Sequence, residues 1–467
     1  MASPPRRNPS GSSDFPRDHS SDTLNPCQDD AMTDLSTLFH THIAERQRTT
    51  ADALAKTGFE ALVISSGKVY THFADDQDAP FHRTPHFAHW CPMPGPHHIL
   101  VVRPGQRPRL IRFAPEDFWY EQTPLGNPFW ASDFDLVEVG SVDEVWKQLG
   151  TLSKAAYIGN ETDRAEAAGL AVNPAILTAH LDWHRTDKSE YEVHCISAAT
   201  IIAARGHEAA RAAFMAGASE LDIHHAYIQA AGVVDHELPY GSIVALNEKG
   251  AILHYEGKRT LKHGAVLLID AGAQVHGYAS DITRTMAAPH CDSRFAALIK
   301  GMETIELRLC DLVKPKLPYG DLHHQGHLMI AGLLRDSGIL KATPEEAIEH
   351  GLTRPFFPHG LGHHLGIQVH DVAGRQGSPD GTPAPPPPEH PALRTTRDID
   401  VNQVFTVEPG LYFIPMLLRP FRENEHKAKF NWTLIDELTP CGGIRIEDNL
   451  LVTATGHRNL TRPHLPL

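Results

Sequence analysis

The stretch LKHGAVLLIDAGAQVHGYASDITRTM, residues 261–286, limits what this chain can become more than any other. VLLIDAG is an apolar strand run, HGY is turn chemistry with Gly277 free to take positive φ, and ASDITRTM alternates apolar and polar residues. The pattern predicts an antiparallel hairpin turning at HGY, next to Val275–His276, the midpoint between Asp270 and Asp281. Asp270 lies in its first strand and Asp281 in its second, nearly opposite each other. A carboxylate in an apolar strand is costly to bury, and two facing carboxylates repel until one protonates. A cation between them removes both costs. Two turn-proximal aspartates at a solvated sheet edge are the alternative at this point.

A chain of 467 residues exceeds one ordinary core, so two domains are expected. Its net charge of −15 argues against nucleic acid as the main partner. No apolar run is long enough for a membrane span, so a membrane partner is not expected either. The opening residues lack the apolar core of a secretory signal. Cys27, Cys91, Cys195, Cys291, Cys310 and Cys441 are scattered without paired spacing, which suits free thiols in a reducing cytoplasm. With 32 histidines in the chain, a lone His carries little weight.

Residues 1–33 are Pro/Ser/Asp-rich and are expected to be disordered, with Met32 a candidate start. Residues 34–187 alternate helical and strand patterns, beginning with a helix over Leu35–Lys56 that ends at Gly58. Strands at EALVISSG, HHILVVRPG, PRLIRFAP and AAYIGN, with a helix at VDEVWKQLGTLSK, give an α/β N-terminal domain. Residues 188–467 form the second domain, opened by a long amphipathic helix from Lys188. Strands are expected at SIVALN and AILHYEG before the hairpin, and at VFTVEPGLYFI and GGIRIEDNLLVT after two further helices. The Pro-rich stretch Gln376 to His390 reads as a loop within this domain, not a linker.

FFPHGLGHHLGIQVHDV holds His359, His363, His364 and His370 among glycines, which let backbone approach closely. Glu408 in TVEPG and Glu447 in GGIRIEDNLLV are acids within apolar strands, and Arg445 shares a face with Glu447. Singly, a strand Glu sits on a solvated face and a Gly/His stretch is a loop. Jointly, two Asp, one His and two Glu make a hard, oxygen-rich set. It suits two divalent cations, Mn²⁺ above a thiolate-loving metal, and metal-assisted hydrolysis. No GxSxG or Cys/His constellation offers a competing nucleophile.

VLLIDAGAQVHGYASDITRT, HGLGHHLGIQVHD, TVEPG and GIRIEDN resemble the signature segments of the pita-bread metallopeptidases. That clan includes methionine aminopeptidase, aminopeptidase P and prolidase. LPYGSIVALNE, ILHYEG, FNW and CGGIRIEDN extend the resemblance to the bacterial prolidases, from about Leu35 to the C-terminus. It implies an α/β N-terminal domain followed by an α+β pita-bread catalytic domain of the creatinase/methionine aminopeptidase type. It also implies a homodimeric, dinuclear Xaa-Pro dipeptidase. Asp270 would chelate one metal, Asp281 and Glu447 would bridge both, and His363 and Glu408 would complete the second site. Glu408 would also shuttle the proton of the attacking hydroxide. His254, His359 and His370 match histidines that steady the tetrahedral intermediate, and Arg445 would hold Glu447. Arg394 matches a grip on the substrate carboxylate, and Tyr240 and Val369 line the leaving-group pocket. Asp76 and Trp90 match N-domain residues that reach a site across the dimer interface. His364 takes no role.

The chemistry suits an X-Pro bond, a tertiary amide whose nitrogen has no N–H to recognise. Three alternatives stand beside this reading. One is an aminopeptidase P-like enzyme acting on longer peptides. Another is a side activity on organophosphate triesters, whose tetrahedral phosphoryl group resembles the peptide intermediate. The third is a pita-bread fold without metals that serves only in binding.

Overall fold

In the helix Leu35–Thr57 the buried residues Phe39, His42, Ile43, Arg46, Thr50, Ala53 and Leu54 recur at three- and four-residue spacing. The helix stops where Gly58 takes a φ of +79°. The structure, a computed structural model, describes residues 34–121 and 124–466. The expected disordered segment, its Met32 and Cys27 lie outside the described residues.

Six strands form the first sheet: β1 (Ala61–Ser65), β2 (Ile99–Val102), β3 (Arg109–Phe113), β4 (Asp135–Val139), β5 (Ala155–Ile158) and β6 (Ala171–Val172). Their order is β4-β3-β2-β1-β5-β6, with β1–β2 and β2–β3 antiparallel and the other pairs parallel. The helix expected at VDEVWKQLGTLSK stops at Lys147. An unanticipated helix, Ala175–Arg185, packs against the first helix.

The long helix Glu190–Met215 starts with a capping box. Ser189 Oγ accepts from the Glu192 N–H, and Glu192 Oε2 accepts from the Ser189 N–H. Its first turns do not leave the N-terminal core. Tyr191, Val193, Cys195 and Ile196 pack with Leu54, Leu62, Phe87 and Leu100.

The remaining strands are β7 (Ile243–Leu246), β8 (Val266–Asp270), β9 (Gln274–Val275), β10 (Tyr278–Ala279), β11 (Thr283–Ala287), β12 (Val404–Val407), β13 (Gly410–Tyr412), β14 (Gly443–Arg445), β15 (Asp448–Val452) and β16 (His457–Asn459). They build sheets β11-β8-β7 and β12-β15-β16 and the pairs β9–β10 and β13–β14. Helices Ser293–Leu312 and Tyr319–Asp336 pack Phe295, Met302 and Leu322 into one apolar core with Leu411, Phe413 and Ile444. That burial fixes the strands whose ends carry the acids.

Two local expectations change. AILHYEG, residues 251–257, is not a strand: Ala251 ends a 3₁₀ turn that begins at Asn247, and the rest is irregular chain. Asn247 takes a φ of +55°, and its Oδ1 accepts from the N–H groups of Ala265 and Val266, so the ladder of β7 ends there. The key hairpin turns within HGY as expected, but its register does not set the two aspartates opposite each other. Val275 pairs with Tyr278, and His276 and Gly277 both have positive φ. Asp270 therefore faces Thr283, not Asp281. Asp281 falls diagonally across on the same face. Near this diagonal the two chains almost touch: a Cβ on Gly272 would lie 2.0 Å from Ser280 O. Glycine is the residue this crossing requires.

Candidate metal centre

The two acid-bearing strand pairs meet edge to edge. The Glu447 N–H donates to Thr283 O at 3.0 Å, and Thr285 Oγ1 exchanges hydrogen bonds with the Arg445 backbone at 3.0 Å. In the second pair Val407 faces Asp448 and Gly410 faces Arg445, a register that sets Glu408 against Glu447. Pro409 interrupts the ladder between those pairings. A row Asp270, Thr283, Glu447, Glu408 thus runs across the joined strands.

Ligand atoms of Asp281, His363 and Glu447 lie within 4.8 Å of one another, and all three residues are buried. His363 Nδ1 is hydrogen-bonded to His364 O at 3.0 Å, leaving Nε2 3.4 Å from Asp281 Oδ2 and 3.6 Å from Glu408 Oε1. The segment carrying His363 reaches this point because Gly362 allows it: a Cβ there would lie 2.0 Å from Thr406 O. Asp270 joins through Arg445, whose Nη2 bonds its Oδ2.

Arg445 serves a different partner from the one expected. Its Nη2 bonds Asp270, its Nη1 donates to Tyr412 Oη at 2.9 Å, and its Nε donates to Thr283 Oγ1 at 3.2 Å. Glu447 is held by Thr283, whose hydroxyl donates to Oε2 at 2.6 Å. Thr283 and Tyr412 were not singled out in the sequence. The only signal is their place, two residues after Asp281 and four after Glu408. Tyr240 donates its hydroxyl to Asp281 Oδ1 at 2.6 Å.

The electrostatics test whether cations fit. Burial raises the Asp270 carboxyl above its usual range against the pull of Arg445. Burial, with Asp281, Glu408 and Asp270 nearby, raises Glu447 well above it. Glu408 is also raised, first by burial, although His363 and Arg445 oppose the shift. Burial is the largest influence on Asp281 and pushes it upward, but the hydrogen bond and charge of His363 and the Tyr240 hydrogen bond together outweigh it and leave that carboxyl low. Asp270 Oδ1 is buried with no hydrogen-bond partner. Four carboxylates crowded this closely cannot all ionise without positive charge between them. The donor set fits hard divalent cations.

Around this centre, His359 Nε2 is hydrogen-bonded to Tyr412 Oη at 2.9 Å, with Nδ1 3.8 Å from Glu408 Oε2. Burial lowers His359 to about 3 and His370 to about 4, with positive neighbours adding to the shift, so both rings are neutral near pH 7. The His370 ring stands perpendicular to His363 at 4.4 Å between centroids. Arg394 and His254 are exposed and act on both rings by charge. Val369 is half-buried against the N-terminal core. His364 is buried behind His363 with both ring nitrogens unpartnered. Trp90 is packed inside the core of its own chain, 4% exposed, so of the two N-domain residues only Asp76 is at the surface.

Solved structures share this fold. An aminopeptidase P variant from Escherichia coli superposes with a TM-score of 0.70 at 22% identity, covering 91% of this chain and 95% of the other. Proline aminopeptidase P II from Yersinia pestis gives 0.68 at 24%, covering 91% and 96%. These likenesses show a pita-bread fold preceded by an N-terminal domain. The sequence narrows the class. Residues 194–454 match the model of metallopeptidase family M24, and residues 37–183 match that of the Xaa-Pro dipeptidase N-terminal domain. A Xaa-Pro dipeptidase of Pseudoalteromonas atlantica is 44% identical over 92% of this chain and 99% of its own length. One from Stenotrophomonas maltophilia is 42% identical over 92% and 98%. The chain belongs to metallopeptidase family M24 and is a hydrolase. Among the described residues no helix is long and apolar enough to cross a membrane.

Proposed function

We propose that this chain is a cytoplasmic, homodimeric Xaa-Pro dipeptidase with two divalent cations per subunit, Mn²⁺ before others. The observation that carries it is the convergence of Asp281, His363 and Glu447, with Glu408 and Asp270 beside them, in a chain that spans prolidase relatives almost end to end. Its N-terminal domain would occupy residues 34–187 and its catalytic domain 188–467. Asp270, Asp281, His363, Glu408 and Glu447 would hold the cations, which supply Lewis acidity and a water of lowered pKa.

This chain's residues would do the rest. Attack of water on the X-Pro carbonyl breaks C–N, and the prolyl nitrogen, which has no N–H, must gain a proton to leave. Glu408, whose carboxyl is held above its usual range, would take that proton from the water and pass it on. The neutral ring of His370, with His254, would donate to the tetrahedral intermediate, while His359, whose Nδ1 donates to Gly360 O at 2.7 Å, would stand beside them and help to steady it. Arg445 would orient Asp270, and Thr283 would orient Glu447. Tyr240 would orient Asp281 and, with Val369, border the leaving group. Arg394 would grip the substrate carboxylate. Asp76, reaching a partner subunit, would meet the substrate amine. A tetrahedral phosphotriester would fit the same donors as a side substrate.

The test is hydrolysis of Ala-Pro beside Ala-Pro-Ala by the purified protein. A dipeptidase cleaves the first and spares the second. Preferential cleavage of the tripeptide would instead give the aminopeptidase P activity, and cleavage of neither would leave a binding module.

A further inference from the structure

Away from the carboxylates, the helix Tyr319–Asp336 places His323 and His327 one turn apart, each 1% exposed. A third imidazole, His390, comes from the end of the Pro-rich loop. The three ring centroids form a near-equilateral triangle with sides of 4.7, 4.5 and 4.6 Å. One nitrogen from each ring lies within 4.8 Å of the others. Three nitrogens bound to one cation at about 2.0–2.1 Å per bond would also lie within 4.8 Å of one another.

Ordinary core packing explains this triangle poorly. Neither ring nitrogen of His323 and not the Nε2 of His327 has a hydrogen-bond partner. A buried N–H left without an acceptor costs about 1–3 kcal/mol. His327 Nδ1, by contrast, is hydrogen-bonded to Thr353 Oγ1 at 2.8 Å. That contact fixes the ring and leaves Nε2 free, as the outer hydrogen bond of a metal-ligating histidine does. Burial lowers His323 to about 3 and His327 to about 2, so no proton competes for their lone pairs at neutral pH.

We infer that His323, His327 and His390 form a second, all-nitrogen site for a borderline cation of the Zn²⁺ type. Its chemistry differs from that of the carboxylate-rich centre, which favours harder ions. His390 and Glu389 line a cavity of about 190 Å³ beside the triangle, together with Arg354 and His359. Of the three ligands His390 alone borders this cavity, so a fourth position on its side would open to it, where Arg354 favours water or a small anion over a second cation.

The ion pins a loop. Residues 376–390 have little regular structure; Gln376 Nε2 donates to Ala179 O at 2.9 Å, and Arg375 ties the two ends of the loop to each other by donating to Leu393 O at 2.9 Å and Pro391 O at 3.0 Å. Coordination of His390 fastens the C-terminal end to the helix.

The experiment uses the untagged full chain, saturated with Mn²⁺, dialysed against Zn²⁺ and analysed for metal. The wild type is expected to retain one more Zn²⁺ per chain than His390→Ala, with zinc-edge absorption showing three imidazole nitrogens. Asp281→Asn, which alters only the carboxylate centre, is expected to keep this ion. That separates the site from the proposed peptidase chemistry. Zn²⁺ should also slow proteolysis of the 376–390 loop in the wild type and leave its rate unchanged in His390→Ala. Because His390 is half-buried in a loop, its removal leaves the core intact, and a second variant, His327→Gln, is expected to lose the same ion. Equal zinc content in the wild type and both variants overturns the assignment.

Discussion

Thr283 faces Asp270 across one hairpin and donates its hydroxyl to Glu447 of the other at 2.6 Å. One side chain therefore ties together two acids that are far apart in sequence. Replacing it by valine keeps the shape and removes the donor. Thr283→Val is expected to cut kcat at least tenfold and weaken metal retention, since a buried hydrogen bond to a charged group is worth roughly 1.5–3 kcal/mol. Thr283→Ser should recover most of both. Parallel assays and metal analysis of the two variants check this. Equal behaviour of valine and serine would remove the hydroxyl from the account.

Asp281→Asn should lose most activity while its circular dichroism and melting behaviour stay close to wild type. The carboxylate sits between His363 and Tyr240, and asparagine keeps the volume but not the charge. A variant that unfolds would show instead that the aspartate is structural.

Asp371 predicts a pH effect away from the acids. Its Oδ1 accepts from Arg185 Nη2 at 2.6 Å and its Oδ2 from Lys188 Nζ at 2.9 Å, with all three side chains nearly inaccessible. Burial pushes the carboxyl up, but the two cations win and hold it at about 2. A carboxyl lowered on folding adds stability above its unfolded pKa, near 4, and loses it as pH falls towards 2. Asp371→Asn should therefore be less stable at pH 7 by roughly 2 kcal/mol or more. The gap should be constant above about pH 5 and shrink below about pH 4. Thermal melts of both proteins across that range measure it; a gap that does not narrow in acid would contradict the assignment.

Asp76 tests the origin of the length limit. Across a two-fold interface it would meet a free amine, and Arg394 would meet a free carboxylate, so a longer peptide would leave a buried charge unpaired. Asp76→Ala should raise KM for Ala-Pro several-fold, spare metal content and admit tripeptides. Unchanged dipeptide kinetics in a protein shown to be dimeric would assign the limit to the catalytic domain alone.

Much of the site was legible because its acids interrupt apolar strands, a pattern with a visible cost. Asp270, Asp281, Glu408 and Glu447 stand out on that ground, whereas the glycine setting marks four histidines alike and only the family resemblance singles out His363. The register was not legible. A hairpin turn can shift by one residue without altering the alternation of apolar and polar side chains, so Asp281 fell diagonally across from Asp270. Arg445 was placed beside Glu447 by its position two residues earlier, yet it bonds Asp270 from a neighbouring strand pair, a contact that strand periodicity does not encode. Trp90 lay in a segment without strand or helix pattern, and only packing shows that its ring belongs to its own core. AILHYEG read as a strand by composition, but the positive φ of Asn247 ends the ladder before it. The imidazole triangle joins a helix to a loop more than fifty residues on, so its third member is invisible to local spacing.

The central claim is that hydrolysis depends on cations held by four carboxylates and one imidazole. The most direct test is Ala-Pro hydrolysis after exhaustive chelation and after Mn²⁺ is restored. The account predicts no detectable activity in the chelated protein and recovery that saturates at two Mn²⁺ per chain. Full activity in protein shown to be free of metal would contradict it.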